Sequence, residues 1–230
     1  MKKNYEMDMC SGPILGKLLT FTIPLIFSGI LQLLFNAADV IVVGRFAGSQ
    51  SLAAVGSTTA LINLMINIFI GLSVGVNVIV ARYYGAKREK DVQDTIHTAM
   101  ALSIVSGLFL IIVGQLLSRP MLELMGTPDD VIDKSTIYMR IIFIGMPANM
   151  IYNFGSAILR AVGDTKRPLY FLTAAGVINV VLNLFFVIMF RMDVAGVALA
   201  TAISQAISAF LVILCLMESE GSLKLHLKDL

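Results

Sequence analysis

The sequence predicts an all-α integral membrane protein, a six-transmembrane-helix bundle. Three observations predict it. Of 230 residues, 57% are hydrophobic and 14% charged, with a mean hydropathy of +0.87, whereas soluble domains run about 45–50% apolar and about 25% charged. The apolar residues gather into six charge-free stretches, each of at least 19 residues. Roughly 20 helical residues cross a hydrocarbon core of about 30 Å. The basic residues between these stretches also lie mostly on one side.

The charge-free stretches are Leu18 to Ala38, Phe46 to Ala81, Thr95 to Ser118, Ile141 to Leu159, Pro168 to Phe190 and Val194 to Met217. The second could be counted twice, but Ala47-Gly48-Ser49-Gln50-Ser51 reads as a loop, which leaves one long helix from about Leu52 to Ala81. Residues 1–17 form a cytoplasmic N-terminal segment with no small-residue cleavage pattern, 18–217 the transmembrane unit, and 218–230 the start of a cytoplasmic loop. Met125 to Asp130 reads as an outer turn that caps the fourth helix through Thr127 or Asp129. Gly163 to Pro168 ends one helix with Gly and opens the next with Pro.

Lys and Arg resist translocation, so their distribution sets orientation. One side carries Lys2, Lys3, Lys17, Arg82, Lys87, Arg88, Lys90, Arg160, Lys166, Arg167, Lys224 and Lys228; the other carries Arg45, Arg119, Lys134, Arg140 and Arg191. Twelve against five places both termini in the cytoplasm, as an even number of spans requires, for a multi-pass protein of the cell (plasma) membrane. The net charge of +2 is scattered, which excludes the basic stripe of a nucleic-acid binder. Cys10 and Cys215 fit neither a disulfide framework nor a zinc spacing.

Polar residues enter the spans at helical spacing. Ser28, Gln32, Asn36 and Asp39 share one face of the first span. Thr59, Asn63 and Asn67 follow in the second; Asn149, Asn153 and Ser156 in the fourth; Asn179 and Asn183 in the fifth; Thr201, Gln205 and Ser208 in the sixth. A single Ser or Thr of this kind is helix-to-helix glue, at about 0.6 kcal/mol per hydrogen bond. So many amides together read instead as the wall of a hydrated cavity.

Asp39 is the sharpest residue, because no other carboxylate lies within a span. A carboxylate at helix mid-depth costs about 2.5–3.5 kcal/mol and is normally kept for ion or proton work. The competing reading takes Asp39 to the outer interface or to Arg45. His97, beside Asp94, reads as a first-turn helix-end residue with no second His near it. No paired carboxylate or activated nucleophile accompanies it, so the checklist for an enzyme finds no constellation. Pro24 and Pro147 bend or pack their helices and decide nothing alone.

The order and spacing of these residues resemble the N-terminal half of a multidrug and toxic compound extrusion (MATE) transporter. The resemblance runs from Pro24 through Gln32 and Asp39-Val-Ile-Val-Val-Gly44, Ala81-Arg-Tyr-Tyr-Gly-Ala-Lys87, Arg160-Ala-Val-Gly-Asp-Thr-Lys166 and Pro168 to Asn179-Val-Val-Leu-Asn183 and Gly196-Val-Ala-Leu-Ala-Thr201. It implies one lobe of a two-lobe, twelve-helix antiporter that exports small amphipathic organic cations against protons or sodium, without a cofactor. It implies a cation site of Asp39, Asn179, Asn183 and Thr201, with possible sodium at Asp39, in a cavity lined by Gln32, Asn36, Asn63, Asn67, Asn149, Asn153 and Gln205. Many such members carry Asp where this chain has Asn183. The second lobe would then be a missing C-terminal half or another copy of the chain. Two alternatives stand beside this: a lipid-linked saccharide flippase of the same superfamily, disfavoured because Arg140 and Arg160 sit only at helix ends, and a non-transporting half-length remnant or partner subunit.

Overall fold

A computed structural model describes residues 14–219 and 221–226; the expectations for Cys10, Lys2, Lys3 and Lys228 fall outside them. The described residues form α1 (Ile14–Val42), α2 (Ser49–Gly85), α3 (Glu89–Leu124), α4 (Asp129–Ile144), α5 (Met146–Ala161), α6 (Lys166–Leu184) and α7 (Asp193–Glu218). Wide π-helical turns extend α1 through Val43–Ala47 and α6 through Phe185–Met189. No strand occurs among the described residues. Five helices are long and apolar enough to cross a bilayer, and the bent pair α4–α5 makes a sixth span.

The expected loop at 47–51 shrinks to a single residue. Gly48 has φ 89°, a left-handed backbone open to glycine, and α2 begins directly after it at Ser49 instead of near Leu52. With 37 residues α2 measures about 55 Å, longer than the hydrocarbon core. The third helix likewise starts earlier than its charge-free stretch, at Glu89, with Glu89 and Asp91 in its first turn, where acids favour the helix dipole. Its charged beginning hid it from a count based on apolar residues.

The fourth span differs most from expectation. Ile141 to Leu159 is only the middle of a 47° bent pair running from Asp129 to Ala161, broken at Gly145 ahead of Pro147. Proline lacks an amide hydrogen and is tolerated in a helix's first turn, so the chain restarts there. Thr127 and Asp129 do not cap α4: Pro128 holds the N-cap position without a side-chain bond, and its carbonyl accepts from Val131 and Ile132. The α5–α6 connector follows expectation, with Gly163 at φ 85° closing α5 and Asp164 accepting the backbone N–H of Lys166 and Arg167.

α5 sits at the centre, packed on α2, α3 and α7, with Phe154, Ile158 and Leu159 fully buried. Lipid tails are as apolar as side chains, so close packing drives helix association here more than water exclusion does. Small residues supply it: Gly107 and Gly114 of α3 let Pro147 and Phe143 of the bent span approach, and Gly155 receives Val212. Outward, Leu33, Leu64, Leu116 and Val181 stay exposed, as an apolar solvent allows.

His97 also departs from expectation. It lies in the third turn of α3 and is nearly buried, and it has a second histidine beside it: the His226 ring stacks on it at 6.0 Å, 4° from parallel. The His97 Nδ1–H donates to the Gln93 carbonyl at 2.8 Å, and the His226 backbone N–H donates to Nε2 at 3.1 Å. Gln93 donates to His226 Nδ1 at 3.2 Å, and Leu223 and Leu225 are buried. The segment after α7 is thereby strapped to α3.

Candidate functional site

One cavity of about 440 Å³ opens between α1, α2, α4, α5, α6 and α7. α1 contributes Gln32, Asn36 and Asp39; α2 Thr59, Asn63 and Asn67; α5 Asn149 and Asn153; α6 Asn179; α7 Thr201 and Gln205. The i, i+4 amide pairs of three helices, α1, α2 and α5, therefore face one space together with single amides of α6 and α7. α3 adds nothing to the wall.

Asn183 is not on that wall. It is fully buried, one turn from Asn179, and its Nδ2 donates to Asp39 Oδ1 across the α1–α6 contact. The same nitrogen donates to Asn179 Oδ1 at 3.2 Å, Asn179 Nδ2 donates to Thr201 Oγ1 at 3.3 Å, and the Thr201 hydroxyl donates to the Val197 carbonyl at 3.0 Å. The four residues implied as a cation site are thus one hydrogen-bonded chain linking α1, α6 and α7. Asp39 turns inward to α6, and no ion pair joins it to Arg45 among the described residues.

Asn183 Nδ2 gives one hydrogen to Asp39 and one to Asn179, Thr201 gives its one to the Val197 carbonyl, and the oxygens of Asp39, together with the partnerless buried Oδ1 of Asn183, remain as acceptors. Acceptor oxygens gathered at membrane depth suit a proton or a hard monovalent cation. No group of three His, Cys, Asp or Glu lies together among the described residues.

Other polar side chains of the spans serve packing. Ser28 donates to the Pro24 carbonyl at 2.9 Å, and Asn77 Nδ2 to the Ala157 carbonyl at 2.7 Å. Three polar wall residues escaped the sequence reading: Ser204, Tyr138, because it lies ahead of the charge-free stretch, and Tyr152, whose hydroxyl donates to the Pro168 carbonyl at 3.1 Å.

The sequence profile of the MatE family matches residues 24–185, most of the chain, including Asp39, Asn179 and Asn183 of this hydrogen-bonded site. The chain belongs to the MatE family. Its MatE relatives include the probable multidrug resistance protein YoeA of Bacillus subtilis (strain 168), 35% identical over 198 residues that cover 84% of this chain and 42% of that protein. The FAD transporter of Shewanella oneidensis is 27% identical over 205 residues, 87% of this chain and 45% of that one. Among solved structures, MATE in the bent conformation superposes with a TM-score of 0.86 at 26% identity, covering 93% of this chain and 48% of that one. The chain spans about half the length of the relatives it matches, the proportion of one lobe in a two-lobe MATE transporter.

Proposed function

We propose that this chain supplies the N-lobe of a secondary-active multidrug exporter, in which Asp39 takes up a proton or a sodium ion in exchange for a small amphipathic organic cation. The observation that carries the reading is the placement of Asp39, the one carboxylate on the wall of the amide-lined cavity, with Asn183 as its bonded neighbour. Charge in such a place is unfavourable until neutralised. Uptake of a cation at Asp39 therefore competes with a cationic guest in the same cavity, which is the coupling an antiporter needs. Asn183 leaves a single carboxylate in the group, and one ion per cycle is the stoichiometry that follows.

The second wall of the cavity comes from the other lobe, because alternating access moves one bundle against another around a shared site. The assembly lies in the plasma membrane with both termini cytoplasmic, supported by the twelve-to-five division of Lys and Arg. No step of this cycle needs a cofactor or a catalytic group.

Asp39→Asn in the two-lobe transporter, reconstituted in proteoliposomes under an imposed proton or sodium gradient, tests the reading. Asn keeps an acceptor oxygen for Asn183 and removes the charge. Gradient-driven efflux of a fluorescent organic cation is expected to fall at least about tenfold, the equivalent of about 1.4 kcal/mol of coupling; an undiminished rate would sink the role of Asp39.

A further inference from the structure

α1 is the least buried span of the cavity wall, and one contact decides where its inner face stands. Pro24 and Val42 are its only buried residues, and it packs chiefly on α6. Within that contact the buried Gly176 of α6 opposes Phe35: a methyl group added at Gly176 would overlap the Cδ2–Cε2–Cζ edge of the Phe35 ring. The approach is tighter than at Gly107 or Gly114, whereas Gly16 and Gly29 of α1 have nothing within 4 Å of an added carbon. Glycine inside a helix is disfavoured against alanine and is kept where packing demands it. Here it is the seat of an aromatic ring, at a helix contact of the kind that small residues make possible.

The two helices run in the same sense through this contact. From Phe35 one turn leads to Asp39; from Gly176 one turn leads to Asn179 and two lead to Asn183. Asn183 donates to both Asp39 and Asn179, so the seated ring and the hydrogen-bonded site are successive rungs of one α1–α6 ladder. Just beyond Asp39, Val42 and Val43 are buried, and the π-helical turn packs on α2 and α7. Asp39 is therefore held along α1 from both sides, by the buried valines after it and by Phe35 in its glycine seat before it. Phe35 and Gly176 both border the cavity, so the seat belongs to the wall of the site and not to the lipid face.

We propose that Gly176 and Phe35 are positioning residues of the cation site: the glycine seats the Phe35 ring, and the seated ring holds the Asp39 carboxylate in register with Asn183. The inference rests on the reading of Asp39 as the group that takes up the ion. A side chain at position 176 either drives α1 away from α6 or swings the ring into another of the few rotamers open to it on a helix. In both cases the anchor before Asp39 is lost. The carboxylate then meets Asn183 at a longer distance or a poorer angle, which weakens a hydrogen bond steeply.

The infrared C=O stretch of Asp39, protonated by acid in the two-lobe transporter in lipid, tests this. The band is isolated for each protein as the difference between spectra with and without Asp39→Asn. An accepted hydrogen bond lowers the frequency, so Asn183→Leu, which lacks the donor, sets the full upward shift. Gly176→Ala is expected to show about half of that shift or more, and Gly176→Ala combined with Phe35→Leu, which makes room for the added methyl, to return most of the way. A wild-type band in Gly176→Ala, or a band as displaced in the double variant as in Gly176→Ala, overturns the seat. Should Gly176→Ala fail to fold, Phe35→Leu alone leaves the seat unfilled and is expected to displace the band in the same direction; an unmoved band overturns the proposal. The sodium or proton concentration for half-maximal efflux is expected to move at least about threefold in Gly176→Ala, and an unmoved value beside a displaced band overturns the role in ion uptake. Undiminished efflux in Asp39→Asn would instead overturn the coupling reading, leaving the seat to be judged by the band alone.

Discussion

Gly107→Ala offers the most direct test of how the fold sets the cavity. A methyl group added at Gly107 of α3 would stand 2.9 Å from both N and Cβ of Pro147, and nearer still to its Cα. Carbon contacts settle at about 3.5–4.0 Å, so about 1 Å must open between α3 and the start of α5. A side chain could swing aside, but here backbone meets backbone, and Gly107 is buried. Overpacking of a core costs about 1–3 kcal/mol, and the rigid neighbours put this site at about 2–3. At about 2–4 °C per kcal/mol for a chain of this length, the midpoint of thermal unfolding in detergent should fall by about 4–12 °C. Because Asn149 follows Pro147 by two residues, the same displacement moves a wall residue of the cavity. Gly56→Ala is the control, since nothing lies within 4 Å of the added carbon; helix propensity makes it neutral to stabilising. A Gly107→Ala midpoint within a degree of wild type would refute the packing argument.

Two further perturbations address the ends of the bundle. Lys134 donates to Ser51 at 3.0 Å and pairs with Asp193 at 2.7 Å, tying α2, α4 and α7, but both charged side chains are about one-third exposed. Lys134→Met should therefore cost only about 1 kcal/mol, read as a drop of a few degrees that shrinks at high salt; a loss independent of salt would count against the ion pair. His97→Ala removes the acceptor for the His226 amide, so hydrogen exchange across 221–226 should quicken by about fivefold while the middle of α3 keeps its protection, and unchanged exchange would mean that Leu223 and Leu225 hold the strap alone.

What the sequence disclosed and what it withheld divide along a physical line. Charge-free length is a local property set by the bilayer, so six spans could be counted and the bent pair still supplied the sixth. The amide stripes were equally legible, because an i, i+4 spacing fixes a face: Gln32, Asn36, Asn63, Asn67, Asn149, Asn153 and Gln205 line one cavity, whereas Ser28 and Ser156 of the same stripes do not. Asn183 shows the limit of that rule: one turn from Asn179 on the same stripe, it lies behind the wall, where contact with α1 decides its partner. Tyr138 was lost for the opposite reason, since Asp129 to Arg140 is too charged to register as a span although it folds as half of one. The stack of His226 on His97 joins residues 129 positions apart and carries no periodic trace. Arg160 combines both cases: its place at a helix end was readable, but that the backbone satisfies the carbonyls around it emerges only from the fold. Partnerless groups are a property of the whole packing arrangement, and that is why the buried, unmatched Oδ1 of Asn183 has no signature in the spacing of residues.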